Sequence, residues 1–360
     1  MKYILLLGLS KICSGGLIPS ILENSKINII VLSGKTVQHV DVIEHEKCVF
    51  SYSCTQFPEN TSYDEFIERA ESEQTTRVFS LHIESINGII RPLILNKKLF
   101  SCISSAREGI LSYLVAFRKS DIDLPVDIIC MDNSSTTIEQ ARHLCKSLEL
   151  HNISISQGVT HIVCSNMEVK DGHIFVNIDP LLLLTIFPPE VAMLEKYFGV
   201  EHQLRSMYQL RFAKSSGEFE YLCRCKLVDV NVIHTVICMI AYCQANSEGI
   251  TMVDAAKMPI GSILSEDVIP DIMEIHDMLY DKYLAAFAEK IGEQKRNHSL
   301  ETLLFLKHFI TADELIGRGL KAEKSYEREE KLERHLKLLR AIDYQPVNKL
   351  IQDYLDLIKE

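Results

Sequence analysis

The sequence is poor in the features that mark nucleic-acid-binding and secreted proteins. Its 360 residues contain 38 lysines and arginines against 49 acidic residues, and the basic residues are dispersed. A nucleic-acid backbone requires a basic stripe or patch, so nucleic acid is not expected as a partner. The 11 cysteines are an odd number and many lie in apolar runs. They therefore indicate buried thiols in a reducing, cytoplasmic compartment rather than a disulfide framework.

Long apolar segments are also lacking. No run reaches the roughly 18 to 20 residues that a membrane helix requires, and even the apolar stretch 181–186 is soon broken by Pro188 and Pro189. The N-terminal apolar run stops at Leu9 without a signal-peptide cleavage pattern. A membrane partner is therefore not expected, and the first apolar run is predicted to be a β-strand.

Short β-rich runs alternate with helical patterns over the first 213 residues, including strands at 27–32 and 126–131 and helices at 63–72 and 98–117. This alternation predicts an α/β domain with a doubly wound, Rossmann-like parallel sheet. The patterns after the polar segment 214–218 are all helical. We therefore expect a dinucleotide-binding domain at 1–213, an all-α substrate and catalytic domain at 214–360, and an active cleft between them. The charge-dense stretch 323–340 is predicted to be a solvated amphipathic helix.

Three polar residues interrupt an otherwise apolar helical pattern: Lys226, Asn231 and His234. On an α-helix, Asn231 would lie roughly 140° and His234 roughly 80° around from Lys226, which places all three in one sector. Buried polar groups need partners or a function, so this sector is a candidate site.

These residue types suit the interconversion of an alcohol and a ketone. Burial disfavours the charged form of a lysine, so Lys226 can serve as a general base unless Asp229 pairs with it and holds it charged. The Asn231 amide can donate to an alkoxide or carbonyl oxygen, and His234 can bind a second hydroxyl. The alternative is structural: Lys226 reaches solvent while the other two side chains satisfy the core.

The spacing K-x4-N-x2-H resembles the signature helix of the polyol-specific long-chain dehydrogenases, most closely the mannitol-1-phosphate 5-dehydrogenase branch. In that branch the lysine is typically followed by leucine, as in Lys226-Leu227. The run 127–133 is similar to the family's strand that ends in an acidic residue and a substrate-facing asparagine, here Asn133. The resemblance implies a metal-independent reaction with Lys226 as catalytic base, Asn133 and Asn231 as oxygen ligands, and His234 as a contact to a polyol or sugar-phosphate substrate.

A dinucleotide fold would place G-x-G-x-x-G after the first strand, and the chain retains it only in part. Gly8 is present, Ser10 replaces the glycine that lets the pyrophosphate approach, and Cys13 replaces the glycine that packs helix on strand. The second strand ends without an acidic partner for the ribose, and Lys35 would tolerate a 2′-phosphate. The expected cofactor is thus NAD or NADP, bound by Gly8, Ser10, Lys11, Cys13, Gly15 and Lys35.

Other family motifs are weak in this chain. The V-D-R-I-x-P motif is represented at best by residues 163–166, and a basic C-terminal motif is not visible. Arg205, Arg211 and Lys214 are candidates for a substrate phosphate by sequence position alone. These departures favour a second hypothesis, in which the chain is a catalytically silent relative that retains the fold to bind a ligand or a partner.

Overall fold

The computed structural model describes residues 2–10, 13–33, 49–73, 76–104, 109–121, 125–131, 135–161, 164–170, 173–178, 183–191, 208–255, 258, 260–264, 266–292 and 326–358. The chain divides into two compact units, Met1–Phe219 and Glu220–Glu360. The predicted domain boundary after residue 213 lies a few residues before this division.

The first unit is built on a seven-stranded parallel sheet with the order β4-β5-β2-β1-β6-β7-β8. Its strands are β1 Tyr3–Leu7, β2 Asn28–Ser33, β4 Thr55–Gln56, β5 Val78–His82, β6 Leu99–Ser104, β7 Val126–Cys130 and β8 Ile153–Gln157, with β3 Val49–Ser53 placed in another sheet. All five residues of β1 are buried. A strand buried on both faces is typical of a parallel sheet, so the predicted fold class is confirmed.

Helices pack on both faces of this sheet. They are α1 Ile18–Asn24, α2 Tyr63–Ser72, α3 Ile90–Leu95, α4 Gly109–Lys119 and α5 Ser135–Ser147. Helix α1 packs on the face that contains Ile4 and Leu6, whereas α2 to α5 pack on the face that contains Leu5 and Leu7. Right-handed crossovers reach opposite faces when the chain moves in opposite directions along a sheet. The sheet is therefore doubly wound, with its change of direction between β1 and β6.

The predicted helix at 98–117 was wrong in its first part, because residues Leu99–Ser104 form β6 and the helix begins at Gly109. A short run of this kind has no periodicity that separates a strand from a buried helix. Residues Leu99–Ser104 form a strand because they pair with β1 on one side and with β7 on the other.

Two small sheets complete the first unit. One is antiparallel with the order β10-β11-β3, from β10 Cys164–Lys170 and β11 His173–Ile178. The other has the order β13-β12-β9, from β9 Val159–His161, β12 Leu183–Phe187 and β13 Tyr208–Phe212. Phe187 and Leu210 belong to the same core as α1. These strands therefore cover the face of the main sheet on which α1 packs.

The regular elements of the second unit, over its described residues, are all helices. Its helices, numbered from the one that crosses the division, are α6 Ser216–Cys225, α7 Ile233–Ser247, α8 Met252–Ala255, α9 Ile260–Ile263, α10 Ile269–Tyr283, α11 Ala285–Ile291, α12 Tyr326–Arg340 and α13 Gln345–Leu357. Ser215 caps helix α6, since its Oγ accepts the Glu218 N–H at 3.1 Å, and Glu218 Oε2 accepts the N–H of the preceding Lys214 at 2.6 Å. Tyr242 and Tyr354 stack between α7 and α13, with ring centroids 5.9 Å apart.

Candidate functional site

The carboxyl ends of β1 and β6 form the first candidate position for a ligand. These neighbouring strands continue into helices on opposite faces of the sheet. In open α/β sheets, such a switch point leaves a crevice outside the strand ends, and ligands bind there. The sequence-predicted loop that begins at Gly8 follows β1 at this position.

Gly8 shows why a glycine is needed at the end of β1. Its φ is +85°, a left-handed conformation that side chains other than glycine rarely adopt. Its N–H donates to the carbonyl of Leu32 in β2 at 2.8 Å. The same carbonyl accepts the hydroxyl of Tyr113 from α4 at 2.6 Å, and burial, with a smaller contribution from Cys13, raises the Tyr113 pKa to about 12. Tyr113 thus remains a hydrogen-bond donor at this strand end, a role that sequence reasoning missed.

Ser10 forms the start of the first helix. Its Oγ accepts the Cys13 N–H at 3.1 Å, and its carbonyl accepts both the N–H and the hydroxyl of Ser14, at 2.9 Å and 3.0 Å. This is the geometry of a helix N-cap. A π-helical turn, Cys13–Leu17, follows and continues into α1. The predicted cofactor residue Ser10 therefore has a structural contact of its own, to an N–H group that a phosphate would also use.

Cys13 and Gly15 are buried in this turn. Cys13 is 1% exposed and packs in the core beneath β1, where the dinucleotide fingerprint would have its helix-packing glycine. Both residues thus support the helix against the sheet. Three other predicted positions, Lys11, Lys35 and Asn133, lie outside the described residues, as do residues 162–163 of the weak motif at 163–166.

In the second unit, the candidate catalytic residues lie where the helix changes from α-helical to π-helical and back. A π-helical turn runs from Lys226 to Val232 between α6 and α7. Residues five apart differ by roughly 140° on an α-helix, but the i to i+5 hydrogen bonding of a π-helix places them near the same side. Lys226 and Asn231 are five apart, so the turn brings them into one sector more closely than the expected α-helix would. Such single π-turns are frequent at functional sites.

The surroundings of this turn are largely buried. Lys226 is 9% exposed, while Asn231 and His234 are half-buried. The Asn231 amide nitrogen is buried, with no hydrogen-bond partner among the described residues. Burial raises the pKa of Cys223 to about 12, against the opposing charge of Lys226. Cys223 is therefore a neutral thiol at physiological pH and places no negative charge beside the lysine; the Asp229 side chain lies outside the described residues.

Two further residues next to this turn were missed from the sequence, Thr235 on α7 and His335 on α12. The Thr235 hydroxyl donates to the Asn231 carbonyl at 3.1 Å and lies 2.8 Å from His335 Nδ1. His335 is 3% exposed, although it lies in the stretch predicted to be a solvated helix. Neighbouring Glu333, Arg334 and Lys337 are exposed, so α12 is amphipathic with a polar group on its buried face. The sequence signal that could have indicated this buried polar group is a histidine among leucines within a charged helix.

The structure places the candidate phosphate-binding residues in different surroundings. Arg211 on β13 forms an ion pair with Glu218, which is 5% exposed. This pair ties the last strand of the first unit to the start of α6, so Arg211 has a structural role. Lys214 is exposed, and Arg205 lies outside the described residues.

One group of side chains at the end of β5 has the composition of metal ligands. Atoms of Glu59, His82 and Glu84 lie within 4.8 Å of one another. His82 Nδ1 is 3.5 Å from Glu59 Oε1 and 3.4 Å from the Glu84 N–H. Both glutamates are exposed, and exposed acidic groups of this kind are common without a metal. His82 Nδ1 accepts the Glu84 N–H, so the contacts are those of a helix cap beside an exposed carboxylate.

One helical run, Ser216–Ser247, is long and apolar enough to span a membrane by length and composition. Just over half of its most apolar window is buried inside the protein. Core helices of soluble proteins pass the same test, so this run is weak support for a membrane segment.

No protein-family profile matches the chain, and no curated protein sequence is significantly similar to it.

Proposed function

We propose that the chain is an NAD(P)-dependent oxidoreductase that interconverts a secondary alcohol and a ketone on a sugar alcohol, its phosphate or a derivative. The observation that carries the proposal is the π-helical turn that starts at the buried Lys226 and includes Asn231. A buried amine and a buried amide that lacks a partner among the described residues, five residues apart on such a turn, supply a base and an oxygen ligand in one sector.

Each polar residue has a distinct task in this reaction. Lys226 Nζ accepts the hydroxyl proton as the alcohol is oxidised and returns it in reduction. The Asn231 amide donates to the substrate oxygen, on which negative charge develops, and His234 binds a neighbouring hydroxyl. The nicotinamide, when bound, supplies the hydride chemistry. The lysine forms the alkoxide by taking the hydroxyl proton, and the hydrogen bond from the amide stabilises its negative charge.

The first unit supports dinucleotide binding by its sheet order and by Gly8. Without the two-residue edge strand β4, the remaining order β5-β2-β1-β6-β7-β8 corresponds to the arrangement 3-2-1-4-5-6 that binds dinucleotides at its switch point. Gly8 adopts a positive φ at the end of β1, where the phosphate turn of such folds begins. Ser10 and Cys13 are small enough to keep the turn compact. We expect the phosphates of NAD or NADP to bind at this turn.

A specific contact favours the second candidate, a catalytically silent relative that binds a ligand or partner. The Ser10 hydroxyl already accepts the Cys13 N–H. A phosphate at the helix start would have to replace this hydrogen bond, because free N–H groups are what make a helix N-terminus an anion site. The silent-relative hypothesis therefore predicts weak dinucleotide binding together with an intact fold.

Lys226→Met tests the enzyme proposal. Methionine keeps an unbranched apolar side chain of similar reach and removes only the amine, so kcat should fall by roughly 10² to 10⁴-fold, as for loss of a general base. Affinity for NADPH should remain within about twofold of wild type, because the cofactor is assigned to the first unit. Lys282→Met, at an exposed lysine on α10, is the matched control and should leave turnover unchanged.

The neighbouring residues separate binding from chemistry. Asn231→Ala should lower kcat by roughly 10²-fold, the effect of losing one oxygen ligand, whereas His234→Ala should act mainly on KM. Activity is measured with sugar alcohols, ketoses and their phosphates and with both nicotinamides. If Lys226→Met keeps more than about a tenth of wild-type turnover, the base lies elsewhere. If the wild type converts none of these substrates, the silent-relative hypothesis replaces the enzyme proposal.

A further inference from the structure

The π-helical turn Lys226–Val232 has an unusual support from the C-terminal region. Thr235, the third residue of α7, contacts two groups with one hydroxyl: the Asn231 carbonyl at 3.1 Å and His335 Nδ1 at 2.8 Å. His335 lies 100 residues further along the chain, on α12, which packs against the π-turn. The contact thus joins the turn to an element that is distant in sequence and belongs to the same compact unit.

A single hydroxyl proton settles how this contact is arranged. A threonine hydroxyl has one hydrogen to donate and two lone pairs that accept. The Asn231 carbonyl can only accept, so the Thr235 hydroxyl bonds both groups at once only when it donates to the carbonyl and accepts a hydrogen that His335 Nδ1 carries. His335 therefore orients the hydroxyl toward the carbonyl. Because His335 is 3% exposed, water competes poorly for either group.

The Asn231 carbonyl lies where the helix changes type. It belongs to the π-helical turn, in which carbonyls pair with the N–H five residues on, while α7 begins only two residues later. Backbone groups at such a junction need an accepting or donating partner. The Thr235 hydroxyl is a side-chain donor at this junction. It bonds the carbonyl of Asn231, the residue whose side-chain amide is the oxygen ligand in the proposed function.

We propose that His335 is a positioning residue which, through the Thr235 hydroxyl, keeps Lys226–Val232 in its π-helical form and thereby keeps Lys226 and Asn231 on one side of the helix. The structural part of this proposal depends on the geometry alone. Its catalytic consequence rests on the proposed function. His335 itself does not act on the substrate.

Hydrogen exchange of the peptides that cover residues 226–236 tests the structural part. Thr235→Val removes the hydroxyl at nearly constant volume, and His335→Leu removes the donor. Either change should raise exchange in these peptides by roughly two- to tenfold, the effect of losing one net hydrogen bond. Thr235→Ser keeps the hydroxyl, and His335→Asn keeps an N–H donor near the Nδ1 position, so both should retain wild-type protection.

Two controls separate positioning from general loss of packing. His276 is also buried, at 2%, and α10 packs against the π-turn as α12 does, but its Nδ1 is 3.7 Å from Asp277 and the Thr235 hydroxyl bonds His335 instead. His276→Leu should therefore leave the exchange of 226–236 closer to wild type than His335→Leu does. The double variant Thr235→Val/His335→Leu should exchange no faster than the more affected single variant, because both changes remove the same contact.

Enzyme kinetics give a second, independent readout. If the dehydrogenase proposal holds, Thr235→Val should lower kcat by at least about tenfold with KM within about twofold, since the groups that act on the transition state lose their placement. If the variants show raised exchange but the wild type has no activity, the positioning role stands and the enzyme proposal is refuted. Unaltered exchange in folded Thr235→Val, or additive effects in the double variant, overturns the positioning role whether or not the wild type is active. If His335→Leu does not fold, Thr235→Val against Thr235→Ser decides.

Discussion

Ser10→Ala should destabilise the start of the first helix by a predictable amount. Ser10→Ala removes the hydrogen bond from the Cys13 N–H to the Ser10 hydroxyl, whereas the two hydrogen bonds that Ser14 donates to the Ser10 carbonyl remain. Replacing a serine N-cap by alanine typically costs about 1 kcal/mol, whereas glycine costs only a few tenths. A change of 1 kcal/mol corresponds to roughly a fivefold change in the local opening equilibrium.

Hydrogen exchange of peptides within residues 13–24 is the suitable assay, because it reports local opening separately in each unit of the chain. Ser10→Ala should raise exchange in these peptides by roughly fivefold, and Ser10→Gly by less than about twofold. Ser20→Ala is the matched control on the same helix, since the buried Ser20 hydroxyl has no hydrogen-bond partner among the described residues. Its removal should not raise exchange, because no hydrogen bond is lost with it.

The same pair of variants tests the dinucleotide assignment. Ser10→Gly removes the hydroxyl that occupies the Cys13 N–H and restores the glycine that allows close approach of a pyrophosphate. Its Kd for NADPH should therefore be equal to or lower than that of wild type. Equal exchange in Ser10→Ala and wild type would refute the capping role. A Kd that rises in Ser10→Gly would show instead that the serine hydroxyl contacts the ligand.

Three further outcomes are expected. Because no carboxylate directly follows β2, titration should not show NAD favoured over NADP by more than about 100-fold, which corresponds to ~2.7 kcal/mol; a larger preference would place an acidic residue elsewhere at the ribose. Gly158→Ala would bring a methyl group against Met131 and to 2.9 Å from Ile129 Cγ2, so urea unfolding should show a loss of roughly 1–3 kcal/mol, and this loss should shrink in combination with Met131→Ala. Burial raises the pKa of Cys54 and of Cys223 to about 12, so at pH 8 both should react with iodoacetamide at least ~100-fold more slowly in the folded protein than in urea.

Much of the first unit could be predicted from local pattern. Fully apolar Tyr3–Leu7 and the alternation of strands with helices indicated a parallel sheet before any contact was known. Helix α2 has the predicted bounds, Tyr63–Ser72, because Ser62 caps it and accepts the Glu65 N–H. Strand β6 could not be predicted, because its residues suit a buried helix equally well and only pairing with β1 and β7 distinguishes them.

The candidate site shows the same division. The spacing of Lys226, Asn231 and His234 indicated a polar sector on a buried helix, and Lys226 is buried. The π-helical form of the turn was not predictable, since an apolar helical pattern does not distinguish i to i+4 from i to i+5 hydrogen bonding. Ser10 was predicted to contact a cofactor, and that contact stays a prediction; its role in capping the helix was not foreseen, because it depends on the local geometry that brings the Cys13 N–H to its hydroxyl.

The sequence by itself determined the fold class, the order of the α/β and helical parts, and which residue types could carry chemistry. These properties follow from composition and from periods of about two and 3.6 residues, which are local. Tertiary structure alone decided that β6 lies beside β1, that Tyr113 shares the Leu32 carbonyl with Gly8, and that His335 reaches Thr235. Those contacts join residues about 80 to 100 positions apart, so no local pattern encodes them; they form only when buried polar groups find their partners in the packed core.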